Sequence, residues 1–421
     1  MDKFIITGGK KLEGKTQVSG AKNASLALMP ATLLSYGKST LFNTPELNDV
    51  FTMIKLLKHL GVESAFSNSV LELNTTNINN YVAPYEHVKK MRASVYVLGP
   101  LLTRFGYAKV SLPGGCAWGP RPINLHLEGL KKMGAEIELT DGYIIAKAKK
   151  LNGAKINFDV SSVGATGNLL MAAVLAKGTT SITNAAMEPE INNLVEFLLK
   201  MGAKIDGINS TTLIIEGVDS LKAADAETIS DRIEAGTILI AAAITKGKVI
   251  IEKIDPKYIN ALLLKLEDSG CKVKLCDHSI EVDAQDITIN PTNVSTAPFP
   301  GFPTDMQAQW TSLMSIVNGV STVTDTIYFD RFKHVPELNR LGAQIVLDQN
   351  TAVVTGAKKL KGAKVMSTDL RASACLVLAG LIAEGTTEVL RVYHLDRGYQ
   401  RIEEKLKSLG ADIQRIESKE Y

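Results

Sequence analysis

The stretch LKKMGAEIEL at residues 130–139 joins the end of an amphipathic helical pattern to the start of an alternating apolar pattern. Gly134 stands between the two patterns, where a glycine ends a helix by adopting a left-handed conformation that other residues avoid. Related stretches surround five further glycines, at Gly61, Gly202, Gly270, Gly342 and Gly410. Successive glycines of this series are 73, 68, 68, 72 and 68 residues apart, which predicts a structural repeat of about 70 residues.

A second series of glycines alternates with the first along the sequence. Each follows an apolar helix-like run and opens a short β-rich segment: Gly37, Gly106, Gly178, Gly247, Gly319 and Gly385. Both series predict six units of order β-β-α-β-α, and therefore an α/β protein. Three units give about 200 residues, which is a usual domain size, so we expect two similar domains. The polar segment at residues 221–231 is a candidate linker. A solenoid is the alternative, which the long alternating strands and variable loops disfavour.

Composition narrows the functional classes. The 421 residues include 47 Lys+Arg and 44 Asp+Glu, 45% hydrophobic and 22% charged residues, a globular composition with a net charge of +3. This near-neutral charge predicts neither a nucleic-acid partner nor a membrane partner. The N-terminal residues lack a signal-peptide pattern, which predicts the cytoplasm. The four cysteines are too scattered for a disulfide framework. Cys276, near Cys271 and His278, is predicted as a buried strand residue rather than a metal ligand, and no metal is expected.

Cationic residues recur where the first helix of each unit is predicted to start. Because helix N-termini already carry partial positive charge, cations there cost stability unless an anionic ligand is bound. The pattern therefore predicts a site for a polyanion, although solvated side chains are an alternative for any single position. Asn23, Ser162 and Thr304, and also Asp231 and Asp369, could instead cap these helices. The residues at the helix starts are Lys22, Asn23, Arg92, Ser162, Val163, Gly164, Asp231, Arg232, Asp305, Asp369 and Arg371.

Two further segments depart from the repeat. The loop SLPGGCAWGPRPINLHLEGL, residues 111–130, combines glycines and prolines around Cys116 and Arg121. A cysteine in a glycine-rich loop near cations is expected to have a lowered pKa and to be reactive, whereas a buried loop cysteine is the alternative. The segment RVYHLDRGYQRIEEKL places Arg397 directly before Gly398 and ahead of the last helix. Arg397 is a candidate residue for binding an anion. The alternative is an arginine at a helix start that binds no ligand.

The motifs in these segments identify a resemblance. SGAKNA, PGGC with RPINL, SVGAT, FPTDMQAQ, TDLRASA and HLDRGYQRIE resemble, in order and over essentially the full length, the UDP-N-acetylglucosamine 1-carboxyvinyltransferases. The resemblance implies an inside-out α/β barrel of two domains with three units each. One domain would span residues 22–229 and carry the Cys116 loop. The other would combine residues 1–21 with residues 230–421, with the active site in the cleft between the two domains.

The resemblance also implies a reaction and its residues. The enolpyruvyl group of phosphoenolpyruvate would move to the 3′-hydroxyl of UDP-N-acetylglucosamine by addition and elimination of phosphate, opening bacterial peptidoglycan synthesis. Cys116 resembles the proton donor and the cysteine attacked by fosfomycin, and Asp305 the base or orienting group at the sugar hydroxyl. The phosphoenolpyruvate ligands would be Lys22, Asn23, Arg121, Arg371 and Arg397. The nucleotide-sugar ligands would be Asn23, Arg92, Arg121, Pro122, Ile123, Asn124, Leu125, Ser162, Val163, Gly164, Asp305 and Ile327. The family implies no cofactor, and a monomer is expected.

Trp118 and Pro120 depart from the family pattern, which more often has a small or aliphatic residue followed by GARP. This difference concerns the behaviour of the loop rather than the identity of the family. Two rival hypotheses are a 5-enolpyruvylshikimate-3-phosphate synthase, which shares fold and chemistry but is not expected to have the PGGC loop or SVGAT, and a non-catalytic nucleotide-sugar-binding protein. The set Lys22, Cys116, Asp305 and Arg397 disfavours the non-catalytic hypothesis.

Overall fold

The structure is a computed structural model that describes residues 2–89, 91–112 and 123–417. The chain divides into two compact units, which we call the N-terminal unit (residues 20–229) and the C-terminal unit (residues up to 19 together with residues from 230). The chain opens with two strands of the C-terminal unit, β1 (Asp2–Thr7) and β2 (Glu13–Gln17). Within the described residues, no helix has the length and apolar composition to cross a bilayer.

The N-terminal unit contains the next fourteen strands and seven helices of the described chain. Its helices are α1 (Lys22–Ala31), α2 (Asn48–His59), α3 (Tyr85–Val88), α4 (Leu98–Phe105), α5 (Asn124–Lys132), α6 (Val163–Ala173) and α7 (Pro189–Lys200), with 3₁₀ helices at Thr32–Leu34 and Arg92–Val97. Its strands are β3 (Ser35–Tyr36), β4 (Lys38–Phe42), β5 (Glu63–Ser67), β6 (Val70–Asn74), β7 (Val82–Ala83), β8 (Tyr107–Ser111), β9 (Glu136–Thr140), β10 (Tyr143–Lys147), β11 (Lys155–Asn157), β12 (Thr179–Thr183), β13 (Lys204–Asp206), β14 (Thr212–Glu216), β15 (Leu221–Lys222) and β16 (Ala226–Glu227).

The C-terminal unit repeats this alternation of helices and strands. Its helices are α8 (Arg232–Ile244), α9 (Asn260–Asp268), α10 (Gln307–Met314), α11 (Val335–Arg340), α12 (Leu370–Gly380) and α13 (Ile402–Ser408), with 3₁₀ helices at Pro256–Tyr258, Thr304–Met306 and Val392–Arg397. Its remaining strands are β17 (Lys248–Glu252), β18 (Lys272–Cys276), β19 (Ser279–Asp283), β20 (Val294–Ser295), β21 (Val320–Thr324), β22 (Gln344–Asp348), β23 (Thr351–Thr355), β24 (Lys364–Met366), β25 (Thr386–Leu390) and β26 (Asp412–Glu417).

The six-unit repeat and the α/β class are confirmed. The described strands form six four-stranded sheets, three in each unit, and one additional two-stranded pair, β15 with β3. Each four-stranded sheet has one parallel pair at an edge followed by two antiparallel pairings, as in the order β7-β8-β10-β9. The repeat therefore has four strands, whereas the sequence predicts three. The strand that the prediction missed is the parallel edge strand, which in five of the six sheets has only two or three residues. Such short strands leave no alternation in the sequence.

The glycines of the first series end helices as predicted. All six adopt positive φ angles, between 92° and 103°, immediately after the second helix of each unit. At Gly134 the N–H donates to the carbonyl of Lys131 at 2.9 Å, and the next N–H, of Ala135, donates to Leu130 at 3.0 Å. These two bonds form a Schellman motif, which satisfies helix carbonyls that otherwise lack donors and turns the chain into the following strand.

Within each unit, some sheets pair strands that are distant in sequence. At the end of the N-terminal unit, β16 pairs in parallel with β4 from its beginning, while β1 pairs with both β25 and β26. These pairings argue against a solenoid, in which each repeat contacts only its neighbours. They also change the interpretation of residues 221–231, because β15 and β16 within this segment belong to sheets. The chain passes between the units at residues 19–20 and 229–230.

The first helix of each repeat lies at the centre of its unit. Every side chain of α8 and α10 is buried, and the described apolar side chains form one large cluster in each unit. The second helices, such as α9, bury only one face against the sheets. Because α8 and α10 have no face left for solvent, polar side chains within them, such as Gln309 and Thr237, are buried and hydrogen-bonded inside the unit.

One burial prediction was wrong. Cys276 ends strand β18 as predicted, but its side chain is exposed. Alternate residues of a strand face the same side, so Cys276 is in phase with Lys272 and Lys274 and out of phase with Val273. The apolar neighbours in the sequence therefore belong to the opposite face of the strand.

Candidate active site

Several of the predicted site residues lie at the starts of the central helices or in the turns that lead into them. Lys22 begins α1, Arg92 begins the 3₁₀ helix that leads into α4, and Val163 begins α6. In the C-terminal unit, Arg232 begins α8 and Asp305 lies in the 3₁₀ turn that precedes α10. Each unit thus carries its own group of site residues, which we describe separately.

Of the five residues that could cap helices instead of binding a ligand, three do cap a helix: Ser162, Asp231 and Asp369. The Ser162 hydroxyl accepts a hydrogen bond from Ala165 N at 3.3 Å, so this residue caps α6. Asp231 caps α8 through Ile233 N at 2.8 Å and Glu234 N at 3.0 Å. Asp369 caps α12 by accepting from the N–H groups of the second and third residues after it. Asn23 is instead an exposed residue within α1, and the 3₁₀ turn at Thr304 is capped by Pro303 without a side-chain bond.

In the C-terminal unit, the structure brings Asp305 and Arg371 together and adds an arginine that the sequence did not single out. Arg371 Nη2 donates to Asp305 Oδ2 at 2.7 Å, and Arg331 Nη2 donates to Asp305 Oδ1 at 2.7 Å. Both arginine side chains are more than nine-tenths buried. We call Asp305, Arg331, Arg371 and Tyr399 the C-terminal cluster. It holds two cations and one anion, an arrangement suited to a carboxylate or phosphate ligand beside a polar group.

Tyr399 holds the other side of the Arg371 guanidinium. Arg371 Nη1 donates to Tyr399 Oη at 3.1 Å, and Gln309 Nε2 donates to the same oxygen at 3.2 Å. The Thr237 hydroxyl donates to the carbonyl of Ile233 at 2.8 Å and is 3.0 Å from Tyr399 Oη. Since the threonine proton is already engaged, Tyr399 donates to Thr237. Burial lowers the pKa of Arg371, but Asp305, Tyr399 and Asp231 together outweigh it, so the net effect raises that pKa and the guanidinium remains charged.

A second set of hydrogen bonds places the loop that contains Ile327. Asp325, which is fully buried, accepts from the N–H groups of Ile327 and Tyr328, both at 2.9 Å. Its other carboxylate oxygen accepts from the Thr304 hydroxyl at 2.6 Å, and Thr304 in turn accepts from Arg331 Nη1 at 2.9 Å. Thr304 therefore links the C-terminal cluster to the segment of the predicted sugar-nucleotide ligand.

Arg397 ends the 3₁₀ helix Val392–Arg397 and is half-buried. It lies near His394, whose pKa is lowered by burial, opposed by Asp369 and lowered further by Arg397 and Arg391. Tyr399 follows two residues later, so one short segment supplies both a predicted anion ligand and the group that holds Arg371.

In the N-terminal unit, Arg92, His126, Ser162, Gly164 and Asn168 form what we call the N-terminal cluster. His126 lies on α5 and receives a hydrogen bond from Asn168 of α6, with 3.0 Å between Asn168 Nδ2 and His126 Nδ1. Burial and then the Arg92 cation lower the pKa of His126 to about 4. Nearby, Tyr96 donates from Oη to the carbonyl of Val163 at 3.3 Å.

The remaining predicted ligands of the N-terminal unit are only partly described. Lys22 Nζ is 3.8 Å from Asp49 Oδ2, and both side chains are largely buried. Ile123 precedes α5, and Asn124 and Leu125 lie in its first turn. Cys116, Arg121 and Pro122, together with Trp118 and Pro120, lie outside the described residues.

Sequence reasoning missed Arg331, Tyr399, His126 and Asn168. Tyr399 lies within the HLDRGYQRIE motif, and His126 directly follows the RPINL motif, so their positions were a usable signal. Arg331 has no counterpart in the repeat and no motif around it. Its role depends on the partner that the fold brings to it.

Comparisons with known proteins identify the family of this chain. The sequence profile of the family EPSP synthase (3-phosphoshikimate 1-carboxyvinyltransferase) matches residues 6–406. A UDP-N-acetylglucosamine 1-carboxyvinyltransferase of Chloroherpeton thalassium is 59% identical over 418 residues, covering 99% of this chain and 97% of that protein. Another with that name, of Chlorobium limicola, is 57% identical over 424 residues and covers 100% of both chains.

Solved structures show the same fold. The enolpyruvyl transferase NikO from Streptomyces tendae superposes with a TM-score of 0.89 at 23% identity, covering 99% of both chains. An EPSP synthase from Acinetobacter baumannii superposes with a TM-score of 0.77 at 17% identity, covering 99% of this chain and 100% of that one. At these identities the likeness concerns the fold.

Proposed function

This chain belongs to the EPSP synthase (3-phosphoshikimate 1-carboxyvinyltransferase) family, and we propose that within it the protein transfers the enolpyruvyl group of phosphoenolpyruvate to the 3′-hydroxyl of UDP-N-acetylglucosamine. One observation carries the choice of substrate: relatives named UDP-N-acetylglucosamine 1-carboxyvinyltransferase are 57–59% identical over essentially the whole chain. The reaction releases phosphate and is the first committed step of bacterial peptidoglycan synthesis.

The proposed reaction is an addition followed by an elimination. The sugar hydroxyl adds to C2 of phosphoenolpyruvate while C3 takes up a proton, giving a tetrahedral ketal. The C2–O bond to phosphate then breaks and C3 loses a proton, which regenerates the double bond. Such a sequence needs a proton donor, a group that orients or deprotonates the hydroxyl, and cations for the phosphate and carboxylate charges.

The C-terminal cluster supports the assignment of Asp305 and Arg371. Asp305 is fixed from both sides by guanidinium groups, so its position is set before any substrate arrives. We therefore favour Asp305 as the orienting group for the sugar hydroxyl. Arg371 is a ligand of phosphoenolpyruvate in this proposal, together with Lys22, Asn23, Arg121 and Arg397, and Cys116 is the proton donor.

The N-terminal cluster supports the assignment of the nucleotide sugar. Arg92 offers a cation, and the start of α6 at Val163 and Gly164 offers backbone N–H groups that have no intrahelical acceptor, which suits a diphosphate. Asn23, Arg121 to Leu125, Asp305 and Ile327 complete the proposed ligands. Residues of both units thus enter the proposal. We also propose that the protein acts in the cytoplasm as a monomer, which size-exclusion chromatography and cell fractionation test.

A phosphate-release assay tests this function. Purified protein is incubated with phosphoenolpyruvate and either UDP-N-acetylglucosamine or shikimate 3-phosphate, and inorganic phosphate is measured with time. Release with UDP-N-acetylglucosamine alone is expected. Release with shikimate 3-phosphate alone would instead indicate the activity named in the family description. Binding of the sugar nucleotide without release by either acceptor would indicate a non-catalytic binding protein.

A further inference from the structure

His126 is a buried histidine that the proposed reaction does not yet use. Its side chain is only 6% exposed, and it lies on α5, one residue after the predicted ligand Leu125. Among the described residues, the ring makes one hydrogen bond, at Nδ1 with Asn168. Its second nitrogen, Nε2, therefore has no hydrogen-bond partner in the described part of the chain, and it is free to donate to a ligand.

The hydrogen bonds of Asn168 determine which ring nitrogen carries the proton. Gly99 N donates to Asn168 Oδ1 at 2.8 Å, which identifies that atom as the oxygen of the amide. The Nδ2 amide group donates to the carbonyl of Val95 at 3.0 Å and to His126 Nδ1 at 3.0 Å. Nδ1 is consequently an acceptor, and the proton of the neutral ring resides on Nε2.

The ring stays neutral near pH 7. Burial and, to a lesser extent, the nearby Arg92 cation lower the pKa of His126 to about 4. The neutral ring therefore keeps its proton on Nε2 at neutral pH and acts there as an uncharged hydrogen-bond donor.

This donor faces the start of helix α6. A Cβ atom added to Gly164 would lie 3.2 Å from His126 Nε2, so Gly164 leaves open the space in front of the donor that any side chain would occupy. Gly164 is in the first turn of the 11-residue helix α6, whose first N–H groups have no intrahelical acceptor. The capping residue Ser162 accepts only from Ala165 among them. His126 Nε2 and the first N–H groups of α6 therefore lie close to one another.

We propose that His126 donates from Nε2–H to the diphosphate of the nucleotide sugar, beside the backbone N–H groups at the start of α6 and the Arg92 cation. The inference rests on the proposed function, because it names a further ligand of its sugar-nucleotide substrate. Asn168 is a positioning residue in this arrangement, since it fixes the tautomer and the plane of the ring. A neutral donor recognises the diphosphate without the desolvation cost of a second buried cation.

Two variants distinguish the contribution of the Nε2–H donor to binding from that of the ring itself. His126→Phe keeps a planar ring and removes the donor, whereas His126→Gln retains an amide donor of similar reach. A hydrogen bond to a charged group is worth roughly a 10- to 100-fold change in affinity. We expect the Kd of UDP and the KM of UDP-N-acetylglucosamine to rise by that factor in His126→Phe, with kcat and the KM of phosphoenolpyruvate within about twofold. His126→Gln should recover much of the affinity, and the exposed His278→Phe should resemble the unchanged protein.

A spectroscopic measurement keeps the inference testable if His126→Phe does not fold. In the wild-type protein labelled with ¹⁵N-histidine, we expect the His126 signals to show protonation at Nε2, and to shift when UDP is added but not when phosphoenolpyruvate is added. An unshifted Nε2 signal with UDP, a shift with phosphoenolpyruvate alone, or equal UDP affinity in His126→Phe would overturn the inference. If UDP binding depends on His126 but no acceptor supports phosphate release, the proposed function fails and the diphosphate contact stands.

Discussion

Arg371 and Asp305 are 66 residues apart in sequence and joined by a hydrogen bond of 2.7 Å between Nη2 and Oδ2. Arg331 completes the arrangement from the other side of the carboxylate. The starts of two central helices, α10 and α12, lie close together here, so Asp305 and Arg371 belong to one charged cluster. An acidic group held in this way is preorganised for a hydroxyl, because its rotamer is fixed before the ligand binds.

Asp305→Asn is expected to lower kcat for phosphate release by about 10²–10⁴-fold, the range typical of a lost acid–base or orienting group. An amide can accept at one position only, so one guanidinium also loses its partner. Initial rates at varied concentrations of both substrates separate kcat from KM. Asp330→Asn changes an exposed carboxylate beside Arg331 and is the matched control. A kcat equal to that of the unchanged protein would contradict the role of Asp305.

Tyr399→Phe is expected to cost about 1–3 kcal/mol of stability, because Arg371 Nη1 and Gln309 Nε2 both lose a buried acceptor. Burial is the main cause that raises the pKa of Tyr399, so the hydroxyl is protonated at neutral pH and the change removes a neutral group. With Arg371 less well held, we expect KM for phosphoenolpyruvate to rise more than KM for the sugar nucleotide.

The Tyr399 prediction is measured by urea unfolding and by steady-state kinetics. Tyr85→Phe is a suitable control because Tyr85 is half-exposed and lies in the N-terminal unit. Unaltered stability together with unaltered KM for phosphoenolpyruvate would show that Arg371 does not depend on Tyr399.

Cys116→Ala is expected to abolish covalent inactivation by fosfomycin, because the nucleophilic sulfur that the family resemblance implies is removed. Cys116→Asp should keep part of the activity, since a carboxylic acid can also donate a proton, and should resist the epoxide. Mass spectrometry of the intact protein measures the adduct. Cys276→Ser is the matched control, because Cys276 is exposed while Cys271 and Cys375 are buried. An adduct that persists in Cys116→Ala would show that another residue reacts.

The fold could be predicted where the sequence repeats a local signal. Gly134 and its equivalents carry their own conformational reason, a positive φ after a helix, and the six-unit count follows from them. Strands of two or three residues such as β7 could not be found, because they carry no periodicity. The prediction that Cys276 is buried was wrong, because the alternating pattern VKLC places Val273 and Leu275 on one face of the strand and Cys276 on the other, with Lys274.

The candidate site divides in the same way. Residues on helix starts, such as Arg92 and Arg371, could be found because charge at a helix N-terminus is unusual on its own. For Tyr399 and His126 the sequence offers only the neighbouring motifs, since their contacts are with partners far away in the chain: Thr237 is 162 residues from Tyr399, and Asn168 is 42 residues from His126. Such pairings depend on packing, which one sequence does not display.

Acid should destabilise the C-terminal unit through His334. Burial and the Arg331 cation lower the pKa of this histidine to about 3, well below its ordinary value near 6.5. Between these values the unfolded chain binds a proton that the folded chain does not. The stabilisation is therefore complete above about pH 6.5 and falls by about 1.4 kcal/mol per pH unit as the pH decreases toward 3.

His334→Leu is expected to flatten this dependence, because leucine does not titrate in either state. Urea unfolding at intervals from pH 7 to pH 4 measures it, in the absence of ligand. Val335→Ala truncates the adjacent buried side chain, so it should lower stability by a similar amount at every pH and leave the slope unchanged. Equal slopes for His334→Leu and the unchanged protein would show that His334 is not the titrating group.

Glu234 and Lys405 join the first and last helices of the C-terminal unit to the segment before the chain crosses to the other unit. The Lys405 ammonium pairs with Glu234 and donates to the Ser19 hydroxyl at 2.7 Å, while Ser19 N donates to Glu234 at 3.1 Å. The Glu234 side chain is 2% exposed. Burial raises its pKa, and Lys405 opposes that rise.

Lys405→Met should leave a buried carboxylate without its cation and cost about 3–5 kcal/mol at pH 8. Without the lysine, the pKa of Glu234 rises further, and a group with a raised pKa in the folded state is most stabilising when protonated. The deficit should therefore shrink as the pH falls from 8 to 5, which urea unfolding can measure. Lys407→Met, on the exposed side of the same helix, should change little at any pH. The double variant Glu234→Gln/Lys405→Met should recover most of the loss at pH 8, because no buried charge remains. A deficit independent of pH, and unrelieved in the double variant, would show that Lys405 acts through packing of its methylene groups rather than through its charge.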